Sequence, residues 1–161
     1  MANLFRRILV PHDFSESASE ALVVAAELAA VHGGHVTVLH VLAPFYTGIG
    51  FPTPAEIAWT PPKEMEGDLR RQLEQLVKRK LGARAGLATC RATLGDPLQA
   101  ILTAAKRADV IVMGTLGRTG LSHLLMGSVA EKVVRHSTVP VLTVRPARAR
   151  RRGAKARRAK R

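Results

Sequence analysis

Five short runs dominated by valine, isoleucine and leucine, with helical periodicity between them, constrain this chain more than any other feature. Residues 6–11, 35–42, 87–93, 109–114 and 140–145 read as strands, and residues 15–31, 64–80, 97–106 and 127–136 as helices. Ser15 or Ser17 caps the first helix, whose apolar Ala18, Ala21, Leu22, Ala25, Leu28 and Ala29 fall at helical spacing, and His32-Gly33-Gly34 stops it. Gly95-Asp96-Pro97 is a helix start, with Asp as cap and Pro in the first turn. Strands this apolar need cover on both faces, and right-handed crossovers place helices there. The order β-α-β-α-β-α-β-α-β therefore predicts an α/β fold: a five-stranded, parallel, doubly wound, Rossmann-like sheet with helices on both faces.

The chain's 161 residues suffice for one sizeable core and not for two ordinary domains. The formal net charge of +13 suggests a nucleic-acid protein until its distribution is considered. Residues 146–161 carry nine lysines and arginines and no acid, so without them the body keeps only +4. Such a segment has too little apolar surface to offset its ordering entropy, which predicts one domain over residues 1–145 and a disordered basic tail over 146–161. Cys90 is the single cysteine, so neither an intramolecular disulfide nor a zinc-type cysteine cluster can form. The first ten residues place two arginines before three apolar residues and then Pro11-His12-Asp13, which is neither a signal core nor a membrane span. A cytoplasmic protein is expected.

Residues 43–62 break the pattern with five prolines and hold Phe45, Tyr46, Phe51 and Trp59, four of the six aromatics. They read as an irregular loop whose aromatics either tuck over an edge of the domain or form a lid or docking surface.

In a doubly wound sheet the ligand site lies beyond the carboxyl ends of the strands, where the strand order reverses. Two loops should carry the chemistry. After the strand Val110-Ile111-Val112-Met113 the sequence holds Gly114, Gly117, Gly127 and Ser128 in the spacing G-x2-G-x9-G-S. Gly114 would let backbone approach a ligand, and Gly117 permits a turn with positive φ. Gly127 and Ser128 open a helix whose first amides have no internal partners and so can bind phosphate, aided by the helix dipole. Arg118 could neutralise a terminal phosphate, with His123 a weaker candidate. The bland alternative is a glycine-rich turn with Ser128 as an ordinary N-cap.

The other loop is Pro11-His12-Asp13-Phe14-Ser15. The Asp13 carboxylate can accept both hydroxyls of a ribose or help hold a phosphate-bound Mg²⁺, or it can simply make an Asx turn or a helix cap. His12 carries little weight by itself, since a lone histidine beside a cap is more often a packing or surface residue, and no histidine stands at metal-ligand spacing with carboxylates.

Taken together, ILVPHDFSESASEAL at the first strand and helix, HVTVLHVL at the second strand, and above all VIVMGTLGRTGLSHLLMGSVAEKVVRHSTVPVLTVR make residues 4–145 resemble the universal stress proteins in their single-domain, ATP-binding form. The resemblance implies an adenine nucleotide alpha hydrolase-like fold and an adenine nucleotide as ligand, ATP first, with ADP or AMP as alternatives and Mg²⁺ as companion. It implies that Asp13 meets the ribose or the metal, that Pro11 lines the adenine pocket, and that Val41 reads adenine through its backbone. Gly114, Gly117, Arg118, Gly127, Ser128 and Val129 would surround the phosphates. It also implies a homodimer through the last strand, Val139 to Val144. His12 departs from the family, which often has a small polar residue such as Thr there, and the basic tail lies outside the family pattern.

Three functions compete: a nucleotide-responsive regulatory protein in stress response, a weak ATPase or phosphotransferase using the same pocket, and a non-specific binder of nucleic acid or acidic surfaces through the tail. The sequence offers no Walker A lysine loop, no pyrophosphatase loop and no committed catalytic base. Nine cations would release counterions on a polyanion, yet no aromatics interleave them to stack on bases.

Overall fold

A computed structural model describes residues 5–43, 63–115 and 127–145. All of the expected loop at 43–62 except Ala43, the positions of Gly117, Arg118 and His123, and the basic tail lie outside the described residues.

The elements follow the expected order. They are β1 (Arg7–Pro11), α1 (Glu16–His32), β2 (His35–Leu42), α2 (Lys63–Leu81), β3 (Ala88–Leu94), α3 (Pro97–Ala105), β4 (Val110–Gly114), α4 (Ser128–His136) and β5 (Val141–Val144). A 3-10 stretch, Gly82–Leu87, joins α2 to β3 and includes Leu87, the residue expected to open the third strand. Every pairing is parallel and the strand order is β3-β2-β1-β4-β5. Because β1 is central, the chain leaves it in one direction to β2 and returns on its other side as β4, so the reversal falls between β1 and β4.

Local chemistry sets the helix ends. Ser15, rather than Ser17, caps α1: its Oγ accepts the Ala18 N–H at 3.1 Å. Gly33 closes the helix in the left-handed conformation at φ 60°, its N–H donating to the Ala29 carbonyl. Asp96 caps α3 by accepting the Gln99 N–H at 2.8 Å, with Pro97 at the first helical position.

The period of two along each strand divides the core. Ile8, Val10, Val36, Val38, Val110 and Val112 face α1 and α2, where Ala21, Leu22, Ala25, Leu73 and Val77 meet them. Leu9, Leu39, Ile111 and Met113 face α3 and α4 through Ile101, Ala105, Ala130 and Val133. Each buried Val, Leu or Ile side chain contributes about 1.5–3 kcal/mol. The contact face of α1 is rich in alanine, with Ala21, Ala25 and Ala29 all at 0% exposure. At the amino end of the sheet, Asp109 joins β1 to β4. It accepts the Arg7 main-chain N–H at 2.8 Å and the Arg7 guanidinium at 2.6 and 3.0 Å. Among the described residues no helix is long and apolar enough to cross a membrane.

Candidate functional site

A cavity of about 320 Å³ opens at the carboxyl ends of β1, β2 and β4, where the strand order reverses. Pro11, His12 and Asp13 enter it from the end of β1, Leu39 and Val41 from β2, Met113 and Gly114 from β4, and Gly127, Ser128, Val129 and Ala130 from the start of α4. Ala18 of α1 and Pro97 and Ile101 of α3 complete the wall. The topology thus brings together the two loops that the sequence marked. Of the site residues expected, Pro11, Asp13, Val41, Gly114, Gly127, Ser128 and Val129 line this one cavity, while Gly117 and Arg118 lie outside the described residues.

The start of α4 differs from the expectation in one respect and from its bland alternative in another. The Gly127 amide is not open to an anion, because it donates to the Thr115 carbonyl at 2.8 Å. Among the described residues the open end is one residue further on: the amides of Ser128, Val129 and Ala130 precede the first intrahelical bond, from the Glu131 N–H to the Gly127 carbonyl at 2.9 Å. Ser128 is also not the cap. Gly127 holds that position, without a side-chain hydrogen bond, and Ser128 is the first helical residue. Its hydroxyl is therefore not committed to capping.

Gly114 has a different reason for being glycine than the one expected. Its bare α-carbon makes room for protein: a Cβ there would run into Ser17 at the start of α1, within 2.7 Å of the Ser17 carbonyl carbon. Gly114 shapes the cavity wall by letting α1 approach β4.

The Asx turn foreseen as the alternative for Asp13 is present, with Oδ1 accepting the Ser15 N–H at 3.0 Å, and the carboxylate still lines the cavity. The turn orients the group without removing it from the site. Val41 is placed by strand alternation. The Leu39 carbonyl accepts the His12 N–H on the β1 side, and the Leu42 carbonyl accepts the Gly95 N–H on the β3 side. Val41, two residues from Leu39, therefore aims its main-chain N–H and C=O toward β1, whose paired register has already ended at Pro11.

His12 is the residue that sequence reasoning undervalued. It is 2% exposed and is bonded through its ring and its main chain. Nδ1 accepts the Phe14 N–H at 3.0 Å, Nε2 lies 3.4 Å from Ser19 Oγ, and the main-chain carbonyl accepts Nδ1–H of the equally buried His40 at 2.8 Å. Burial pushes the His12 pKa down to about 4; His40 and Lys80 act in the same direction and Asp13 against it. The ring is thus neutral at physiological pH. A signal was available in the sequence: continuing the period of two from Ile8 and Val10 places position 12 on the buried face, as Val36 and Val38 do for position 40.

The Universal stress protein family matches residues 4–145 of this chain. A universal stress protein of Thermus aquaticus is 36% identical over 148 residues, covering 88% of this chain and 100% of its own length. Among solved structures, the universal stress protein UspA from Lactobacillus plantarum aligns with a TM-score of 0.69 at 25% identity, over 88% of this chain and 99% of that one. The universal stress protein from Archaeoglobus fulgidus in complex with dAMP aligns with a TM-score of 0.53 at 25% identity, over 87% and 98% of the two chains.

Proposed function

We propose a function from one premise: the chain belongs to the universal stress protein family. It binds an adenine nucleotide, ATP foremost, in the cavity between β1 and β4, and acts as a nucleotide-responsive regulatory protein. The observation that carries this reading is the convergence, in one 320 Å³ cavity, of a carboxylate, open main-chain groups and a helix N-terminus, in the order a nucleotide requires. Adenine takes the apolar part against Pro11, where the outward-facing N–H and C=O of Val41 read its edge irrespective of side chain. The ribose hydroxyls donate to Asp13. The phosphates meet the amides of Ser128, Val129 and Ala130, with the helix dipole and the Ser128 hydroxyl adding to the attraction. Gly127 supplies the side-chain-free entry to that helix; Gly117 and Arg118, which lie outside the described residues, are assigned to the phosphates by the family resemblance alone. The dAMP complex of the Archaeoglobus fulgidus relative supports an adenine nucleotide as the ligand class.

Among the described residues no cluster of three or more His, Cys, Asp or Glu could hold a metal by itself. Mg²⁺ enters the proposal as a companion of the phosphates, with the Asp13 carboxylate as the protein's donor.

Two measurements test the reading. Mass spectrometry of the denatured, freshly purified protein is expected to release an adenine nucleotide. Titration with a fluorescent ATP analogue is expected to saturate in the wild type and to weaken on the order of tenfold in the Gly127→Ala, Ser128→Ala double variant. A wild type that binds no adenine nucleotide refutes the proposal.

A homodimer through the last strand is part of the same proposal. It is favoured by β5 being a sheet edge with Leu142 exposed, beside an α4 that exposes Val134.

A further inference from the structure

His12 lines the cavity, yet it is bonded to three elements at once. In the loop after β1, its Nδ1 accepts the Phe14 N–H at 3.0 Å. In α1, its Nε2 lies 3.4 Å from Ser19 Oγ, whose own proton goes to the Ser15 carbonyl at 3.0 Å. On β2, its main chain donates to Leu39 and accepts from His40, both at 2.8 Å. Because Nδ1 accepts, the single proton of the neutral ring sits on Nε2 and points at Ser19, so each bond in the relay has one direction.

Two overlapping turns follow. His12 Nδ1 holds the amide two residues on, that of Phe14, and Asp13 Oδ1 holds the amide two residues on, that of Ser15, at 3.0 Å. Phe14 lies between them at φ 66°, a left-handed conformation that is strained for a side-chain-bearing residue. Its ring packs edge-on against His40 at 4.7 Å and His12 at 5.9 Å between centroids. Removing the acceptor for the Phe14 N–H leaves that conformation without its main local compensation. A change of φ at Phe14 alters the direction from which the chain arrives from Asp13, and so the direction of the Asp13 side chain.

We propose that His12 is a positioning residue: its imidazole latches the left-handed Phe14 and thereby holds the Asp13 carboxylate against the cavity. Ribose recognition then depends on His12 with no contact between His12 and the sugar. The latch stands on the geometry alone; its consequence for ribose rests on the nucleotide reading above.

The latch is tested in nucleotide-free protein by amide hydrogen exchange at Phe14 and Ser15, read by NMR. His12→Leu removes the acceptor, whereas the carboxamide oxygen of His12→Asn can accept the amide two residues on, as in an Asx turn. Exchange at both amides is expected to accelerate on the order of tenfold in His12→Leu and to return toward wild type in His12→Asn, with Ile111 in β4 unchanged. Ser19→Ala keeps the ring and removes its Nε2 partner, which gives the same test in a milder variant, with about a threefold acceleration at Phe14. Unchanged protection of Phe14 in both His12→Leu and Ser19→Ala overturns the latch.

Its consequence is tested by titrating ATP against 2′,3′-dideoxy-ATP. His12→Leu is expected to weaken ATP on the order of tenfold, to leave the dideoxy analogue unchanged, and to add nothing in an Asp13→Ala background. Equal losses for both nucleotides, or full additivity with Asp13→Ala, overturn positioning through Asp13. A wild type that binds neither nucleotide refutes the nucleotide reading instead, and the exchange data then decide the latch by themselves.

Discussion

The α-carbon of Gly114 stands so close to Ser17 that a Cβ added there would lie within 2.8 Å of the Ser17 carbonyl oxygen. Both partners are fixed, one in a buried strand and the other in the first turn of α1, so neither can yield cheaply. Gly114→Ala is expected to destabilise the fold by about 1–3 kcal/mol, measured by urea denaturation. Gly86→Ala is the control: a Cβ there meets nothing within 4 Å, and its stability should stay within about 1 kcal/mol of wild type.

Acid should weaken the fold through His12, whose pKa is held down to about 4 while the same residue in an unfolded chain titrates near its ordinary value of 6.5. Below 6.5 the unfolded chain binds a proton that the folded chain refuses. The stability linked to the neutral ring is therefore complete above that value and declines as the pH falls toward about 4. The limiting slope is about 1.4 kcal/mol per pH unit. Denaturation curves across this window should be shallower in pH for His12→Asn, which has no ring to titrate. An identical slope in both proteins would show that the loss arises elsewhere.

Ser15→Ala removes the hydroxyl that accepts the Ala18 N–H at 3.1 Å. The loss of the cap should cost about 1 kcal/mol, and calorimetry should report the lower Tm. Because Ser15 also supplies the amide held by Asp13, replacing it with Ala, which keeps that amide, separates capping from loop geometry.

Leu142→Lys places a charge on the outer edge strand, where the native side chain is 41% exposed and its removal leaves no core void. If β5 is the dimer seam, light scattering should find the wild type at twice the mass of this variant, with the two unfolding at similar denaturant concentrations per protomer. Equal masses would exclude β5 as the seam.

The reading of the fold from sequence succeeded where breakers bound the apolar runs. β2, flanked by Gly34 and Ala43-Pro44, was placed at 35–42, where it is found. α1 was drawn to end at position 31 and runs to His32, because the stop is the left-handed Gly33 itself. The 3-10 stretch Gly82–Leu87 has neither periodicity, so nothing in its composition announced it. The site was legible at the level of which loops meet, since topology alone carries Asp13 and Ser128 to the same end of the sheet. What escaped was the pairing within it. The Gly127 amide is taken by Thr115, Gly114 is small for the sake of Ser17, and His12 is buried. Each of these depends on a residue distant in sequence or on the face a side chain takes, and a local spacing motif records neither.

The central place of β1 has a consequence for synthesis. Arg7 and its partner Asp109 are 102 residues apart, and the pocket draws on both position 13 and position 128. A growing chain can pair β1 with β2 early, but it cannot form this cleft until α4 has left the ribosome. Any small molecule captured there would therefore discriminate chains that have emerged past α4 from shorter ones, and would raise the population of the native state only from that point in translation.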